Sequence, residues 1–256
     1  MTDETEKSKI LRHSNQEDLN ARKIVIPGEV IASGEDYLPG EGTEKKGNDI
    51  IALKYGLLEE SRDLIKVIPL SGTYDPRRGN VVIGKVENIT FNGWIVDIGS
   101  ATGAFLSVNE MMRFVNKNAM EETLDIGDMV AAKVWSMSRK AIDLTTKSKG
   151  LGKLENGIII KINSNKVPRV IGKEGSMVSL IKDETKCNIT VGQNGLIWII
   201  GDKVEYELLA KKAIMFISDK SFVSGLTDKV KEFLEKEKNV SFEKRSVSKK
   251  NSGEEE

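Results

Sequence analysis

Two glycines frame a lysine and a glutamate at Gly172-Lys173-Glu174-Gly175. Glycines at both ends let another backbone approach with no Cβ in the way, and the amides of a following helix N-terminus suit a phosphate. Lys173 adds the matching charge. Glu174 opposes it, because a carboxylate at the same distance repels a phosphate. The loop therefore either contacts phosphate through Gly172, Lys173 and Gly175 or serves mainly in packing. A second group combines rings with cations: Phe91 and Trp94 at one turn, Phe105 on a neighbouring strand, and Trp135 close to Arg139 and Lys140. Rings beside cations are what a single-stranded nucleic acid needs, since stacking contributes roughly 1–3 kcal/mol per base. Lys85, Arg113, Arg139 and Lys140 would form a diffuse rim that attracts phosphates. Trp94 and Trp135 have a second reading, as core or interface residues. Catalytic chemistry has little to work with. The sole histidine, His13, lies in a polar leader, and the sole cysteine, Cys187, can form neither an internal disulfide nor a multi-thiolate zinc site. Glu59, Glu60 and Asp63 read as a solvated turn, so no cofactor or metal is expected.

The glycine-framed loop sits inside a pattern of about 25 positions. From Val167 apolar residues lead into Gly172; Val178, Ile181 and Thr185 then recur at helical spacing, and Cys187, Ile189 and Val191 alternate like a strand. A strand at Gly157–Ile162 precedes this run. Leu196–Ile200 follows across Gly192-Gln193-Asn194-Gly195, where Asn-Gly signals a hairpin turn, and Val204–Ser218 has helical periodicity. Strand, helix, helix, strand, strand, helix resembles the KH nucleic-acid-binding domain of the eukaryotic type (type I), whose GxxG loop clamps a nucleotide backbone.

Upstream, strand signals at Val81–Ile89, Gly93–Ile98, Ala104–Val108, Met129–Met137 and Ala141–Thr145 give the count and spacing of a five-stranded OB barrel. The phrases Gly-Trp-Ile-Val-Asp-Ile-Gly and Ile-Gly-Asp-Met-Val-Ala-Ala-Lys-Val resemble the RNA-binding S1 domain. Against that family, Asn92 and Ile95 stand where phenylalanines are usual, Leu106 about where a histidine is usual, and Asp143 where the last strand usually carries arginine.

The fold expected is multidomain, β-rich plus α+β. A disordered leader (1–21) is followed by a small N-terminal β-rich domain (22–76), an S1-type OB barrel (77–149), a type I KH domain (153–222) and a solvated charged tail (223–256), which from residue 228 reads first as a helix and then as disordered. In the first domain, Lys23–Ile31 reads as a strand broken by Pro-Gly, Gly34–Gly47 as a long exposed hairpin loop, and Asp49–Tyr55 and Leu64–Pro69 as strands around a turn at Gly56. Lysine plus arginine equals aspartate plus glutamate at 39 each. By segment, 22–76 carries a net −3, 77–149 a net +2 and 153–222 a net +3. The small basic excess falls on the two domains with binding motifs, which implies modest affinity per chain. With no apolar run near the length of a membrane span and no signal-peptide core, the chain is expected in the cytoplasm, without a membrane partner.

The order of the domains, with Ile-Pro-Gly-Glu near the start, Val-Ile-Pro-Leu-Ser-Gly-Thr-Tyr-Asp-Pro between the first two and Gly-Gln-Asn-Gly-Leu-Ile-Trp-Ile in the third, resembles the RNA-binding cap subunits of the archaeal RNA exosome over about residues 22–222. That resemblance implies a non-catalytic subunit. Three copies would sit on a ring of RNase PH-type subunits, alongside the other cap subunit, and lead single-stranded RNA, with adenine-rich tails preferred, to degradation from its 3′ end. An S1/KH accessory factor of translation or transcription is the alternative.

Overall fold

The computed structural model describes residues 23–116, 119–138, 141–220 and 225–237; the expected leader lies outside them. The chain divides into two compact units after Gly72.

The first unit contains β1 (Ile24–Val25), β2 (Val30–Ser33), β3 (Leu38–Pro39), β4 (Thr43–Lys46), β5 (Asp49–Ala52), β6 (Gly56–Ser61) and β7 (Leu64–Pro69). They form two sheets, β1-β6-β7-β3 and β2-β5-β4, around a small core of Val25, Ala52 and Val67. Gly34–Gly47 is not the exposed loop its glycines and charges suggest. β4 pairs with β5, and β3 runs parallel to β7. Thr43 is buried, its hydroxyl accepting from the Gly40 amide at 2.9 Å and lying 3.0 Å from the Ile65 carbonyl oxygen. Gly56 is no turn either. It opens β6 against the Ile68 carbonyl, where a Cβ would collide. Glu59 and Glu60 lie on that strand, with Glu59 paired to Lys66 at 2.8 Å.

In the second unit, β8 (Val81–Thr90), β9 (Gly93–Asp97), β10 (Ala104–Ser107), β11 (Met129–Met137) and β12 (Ile142–Thr145), with a short helix α1 (Met120–Thr123) before β11, carry the alternation read from the sequence. The strands run β12-β10-β9-β8-β11, and β11 pairs with β12 to close the barrel. β10 and β12 are parallel and the other pairs antiparallel, the OB arrangement. Inward positions bury Trp94, Val96, Leu106, Val134 and Leu144. β13 (Gly152–Leu154) adds to β11 as a sixth strand, and Lys153 pairs with Asp128 at 2.6 Å. The hydrogen bond from Lys153 holds the Asp128 carboxyl below its ordinary value.

The KH portion runs β14 (Ile158–Lys161), α2 (Val167–Ile171), α3 (Ser176–Thr185), β15 (Asn188–Val191), β16 (Leu196–Ile200) and α4 (Val204–Asp219). Its antiparallel sheet is ordered β14-β16-β15, and Cys187 is a buried free thiol within the core. The tail opens with a helix, α5 (226–237), as its sequence suggests, but the helix is packed rather than solvated. Leu226, Val230 and Leu234 are buried in the KH core, Phe233 stacks on Phe216 at 4.5 Å between centroids, and Lys212 pairs with Glu237 at 2.6 Å. Charges at the intervening positions hid an apolar stripe at i, i+4 and i+8. Among the described residues no helix is long and apolar enough to cross a membrane.

Candidate nucleic-acid interface

The 172–175 loop is built from backbone conformation. Gly172 (φ 74°), Glu174 (φ 53°) and Gly175 (φ 80°) all take positive φ, which turns the chain sharply between α2 and α3. The two glycines do different work. A Cβ on Gly172 would stand 2.7 Å from both the Met177 Cβ and its amide nitrogen, so this position is fixed by packing. A Cβ on Gly175 would meet nothing nearer than Val178 Cγ1 at 4.0 Å, so that side of the loop is open to an approaching backbone. Lys173 and Glu174 are both exposed.

The barrel candidates separate by strand alternation. Trp94 points inward, wholly buried, and its indole Nε1 donates to the Leu124 carbonyl at 2.8 Å; it has no face for a base, which corrects its assignment as a stacking residue. Phe105, one pairing step away, points outward. Its ring lies across Gly93, where a Cβ would come 2.7 Å from the ring edge, so the missing side chain on β9 is what lets the ring lie against the sheet. Phe91 is 87% exposed at the β8–β9 turn, beside a cleft of about 380 Å³ lined also by Ile89, Met120, Glu121 and Glu122. Those carboxylates make the cleft unsuited to phosphate. Lys85 is exposed on β8, opposite Asp97. Arg113 is exposed in the loop after β10, next to Phe114, which is 96% exposed and which sequence reasoning passed over although the Arg-Phe pair was there to see. Arg139 and Lys140 lie outside the described residues.

What joins the barrel to the KH fold is the turn between β15 and β16. The Gln193 amide donates to the Val81 carbonyl at 2.8 Å, and its side-chain Oε1 accepts from the Val81 amide at 2.7 Å. The buried Asn194 donates through Nδ2 to the carbonyls of Ile83 at 2.7 Å and Ile98 at 2.9 Å, and its Oδ1 accepts from the Ile83 amide at 3.2 Å. A Cβ on Gly192 would lie 2.9 Å from the Ile83 nitrogen. Gly192, Gln193 and Asn194 thus dock on β8 as an extra pairing partner, while Gly195 closes the turn against Ile162 within the KH fold. The sequence marks the turn but not its target, more than a hundred residues away.

A family model for the KH domain matches residues 157–205, and one for the exosome complex exonuclease RRP4 N-terminal region matches residues 24–59. The chain is 43% identical over 214 residues to exosome complex component Rrp4 of Methanothermus fervidus, covering 83% of this chain and 95% of that one. It is 40% identical over 219 residues to the Rrp4 of Methanothermobacter thermautotrophicus (85% and 70%) and 39% identical over 219 residues to that of Nitrosopumilus maritimus (84% and 96%). A crystal structure described as an exosome complex RNA-binding protein is 35% identical, with a TM-score of 0.59 over 66% of this chain and 99% of that chain. Matches at both the first unit and the KH fold, together with relatives spanning the barrel between them, place the chain in the Rrp4 family of exosome complex components, a non-catalytic RNA-binding family.

Proposed function

We propose that this chain is the RNA-binding cap subunit of an exosome, capturing single-stranded RNA, adenine-rich tails by preference, and guiding its 3′ end through a central pore into a ring of RNase PH-type subunits. Three copies act together on that ring in the cytoplasm, in company with the other cap subunit. The first unit docks on the ring, the barrels surround the pore, and the KH folds stand outside. RNA is contacted by Phe91 and Phe105 through stacking, by the rim of Lys85, Arg113, Arg139 and Lys140, and by the phosphate loop of Gly172, Lys173 and Gly175.

The observation that carries this reading is the union, through Asn194, of an OB barrel bearing outward rings and a KH fold whose GxxG loop is open at Gly175. Modest affinity per chain suffices when linked copies share one RNA at effective concentrations of roughly millimolar. The first unit supports docking on protein instead. It exposes Ile24, Ile26, Val30, Leu38 and Leu53 within about thirty positions, a supply of apolar side chains that a protein partner could cover.

The test is a pull-down with the full chain and with a chain lacking residues 1–72. Ring subunits recovered only by the full chain support the cap reading and the docking role. Ribosomal or transcription components recovered in their place, with no ring subunits, sink it.

A further inference from the structure

The outer face of the barrel carries a row of residues fixed by strand register. Ile95 on β9 faces Phe105 on β10, Phe105 faces Asp143 on β12, and Asp143 faces Ser136 on β11. At that end the ladder between β11 and β12 shifts register between Val134 and Ser136. A bulge of this kind re-aims a side chain, and the residue it turns out is Trp135, 52% exposed. The Arg78 guanidinium stands 5.7 Å from the centre of its ring.

Arg78 is not carried on a loose loop. Asn80 Oδ1 accepts from the Tyr74 hydroxyl at 2.9 Å and from the Arg77 amide at 3.2 Å. The Gly79 amide donates to the Val134 carbonyl at 2.8 Å, and the Val134 amide donates to the Asn80 carbonyl at 2.8 Å. The turn bearing the cation is therefore hydrogen-bonded to the residue just before the bulged tryptophan. Phe105 and the bulge lie two strand spacings apart, roughly 10 Å, with Asp143 between them.

We propose that Phe105, Asp143 and Trp135 with Arg78 form a base-reading track across the barrel, Trp135 being a second stacking platform for single-stranded RNA. This rests on the RNA-capture reading above and adds to it the path and the residue that would set the preference. A guanidinium over one part of the indole leaves a ring that a base can share, and the cation attracts the adjoining phosphate. Asp143, acceptor-only when ionised, repels phosphates, so the strand lies with its bases toward the face. It accepts from the exocyclic amino groups that adenine and cytosine project beyond the ring, whereas uracil offers only its recessed ring N3–H between two carbonyl oxygens that the carboxylate repels. The departure of Asp143 from the arginine usual in S1 domains thereby becomes a discriminating contact.

The test measures binding of end-labelled A12 and U12 oligonucleotides by fluorescence anisotropy, using the full chain and its variants. Trp135→Ala weakens A12 by roughly 5- to 150-fold, the loss of one stacked base, while Trp135→Phe stays near wild type. Asp143→Ala brings the A12-to-U12 affinity ratio toward one. Adding A12 quenches the wild-type tryptophan emission, and Trp135→Phe removes that quench; this second reading serves if Trp135→Ala does not fold. Wild-type binding that Trp135→Ala retains, or a quench that survives Trp135→Phe, overturns the platform. An unchanged A12-to-U12 ratio overturns the role of Asp143. No binding by the wild type takes down the RNA-capture reading itself, and this track with it. Lost recovery of ring subunits by Trp135→Ala, with RNA affinity intact, makes Trp135 a protein contact and overturns the track.

Discussion

Tyr74 shows how one side chain ties stability to pH. It packs against the barrel core and donates its hydroxyl to Asn80; burial, with the charge of Asp75 adding, pushes its pKa up to about 12. The folded state favours the neutral phenol. The stability this contributes is fully present below pH 10, the ordinary value, and is lost as pH rises from there through about 12. Denaturant titrations of the wild type should show that extra alkaline loss, and Tyr74→Phe should flatten it; identical slopes for the two would remove the argument. Which residues faced inward was partly written in the sequence. Trp94, Val96 and Ile98 alternate, and the period of two puts all three on one face with the buried valines. Grouping Trp94 with Phe91 by proximity overrode that period. Trp135 obeys the same rule: Val130, Ala132 and Val134 alternate inward, which puts Trp135 on the outer face, and reading it as a core candidate set that period aside.

Among the elements, α5 contributes most beyond expectation. Leu234 is wholly buried between it and the rest of the KH core, so Leu234→Ala should cost about 2–5 kcal/mol. Chemical denaturation of the wild type and variant measures this, and a loss below about 1 kcal/mol would show that the helix merely rests on the fold. The barrel and KH elements were legible because each repeats a period over several residues; β11 and β16 begin and end where alternation puts them. β3 and β4 were not. β3 has two residues, and its partner β7 lies beyond three intervening strands, so no local pattern records the pairing.

For the whole molecule, the sharing of β8 decides how the second unit behaves. Removing the Asn194 amide leaves the carbonyls of Ile83 and Ile98 and the Ile83 amide without that partner in a buried setting, each such group costing about 1–3 kcal/mol. Asn194→Ala should lower the stability of barrel and KH fold together, and in calorimetry split their shared transition into two; a single transition at the wild-type temperature would count against the coupling. Nothing local in the sequence announces this, because Asn194 reads as an ordinary hairpin residue until its partners are known. The segment that joins the barrel to the KH fold carries a further consequence. Gly152–Leu154 is itself a strand paired to β11 and clamped by Lys153 to Asp128. A protease needs an extended, accessible stretch of backbone and finds this one occupied in a ladder, so digestion that trims the chain elsewhere leaves barrel and KH fold as a single fragment.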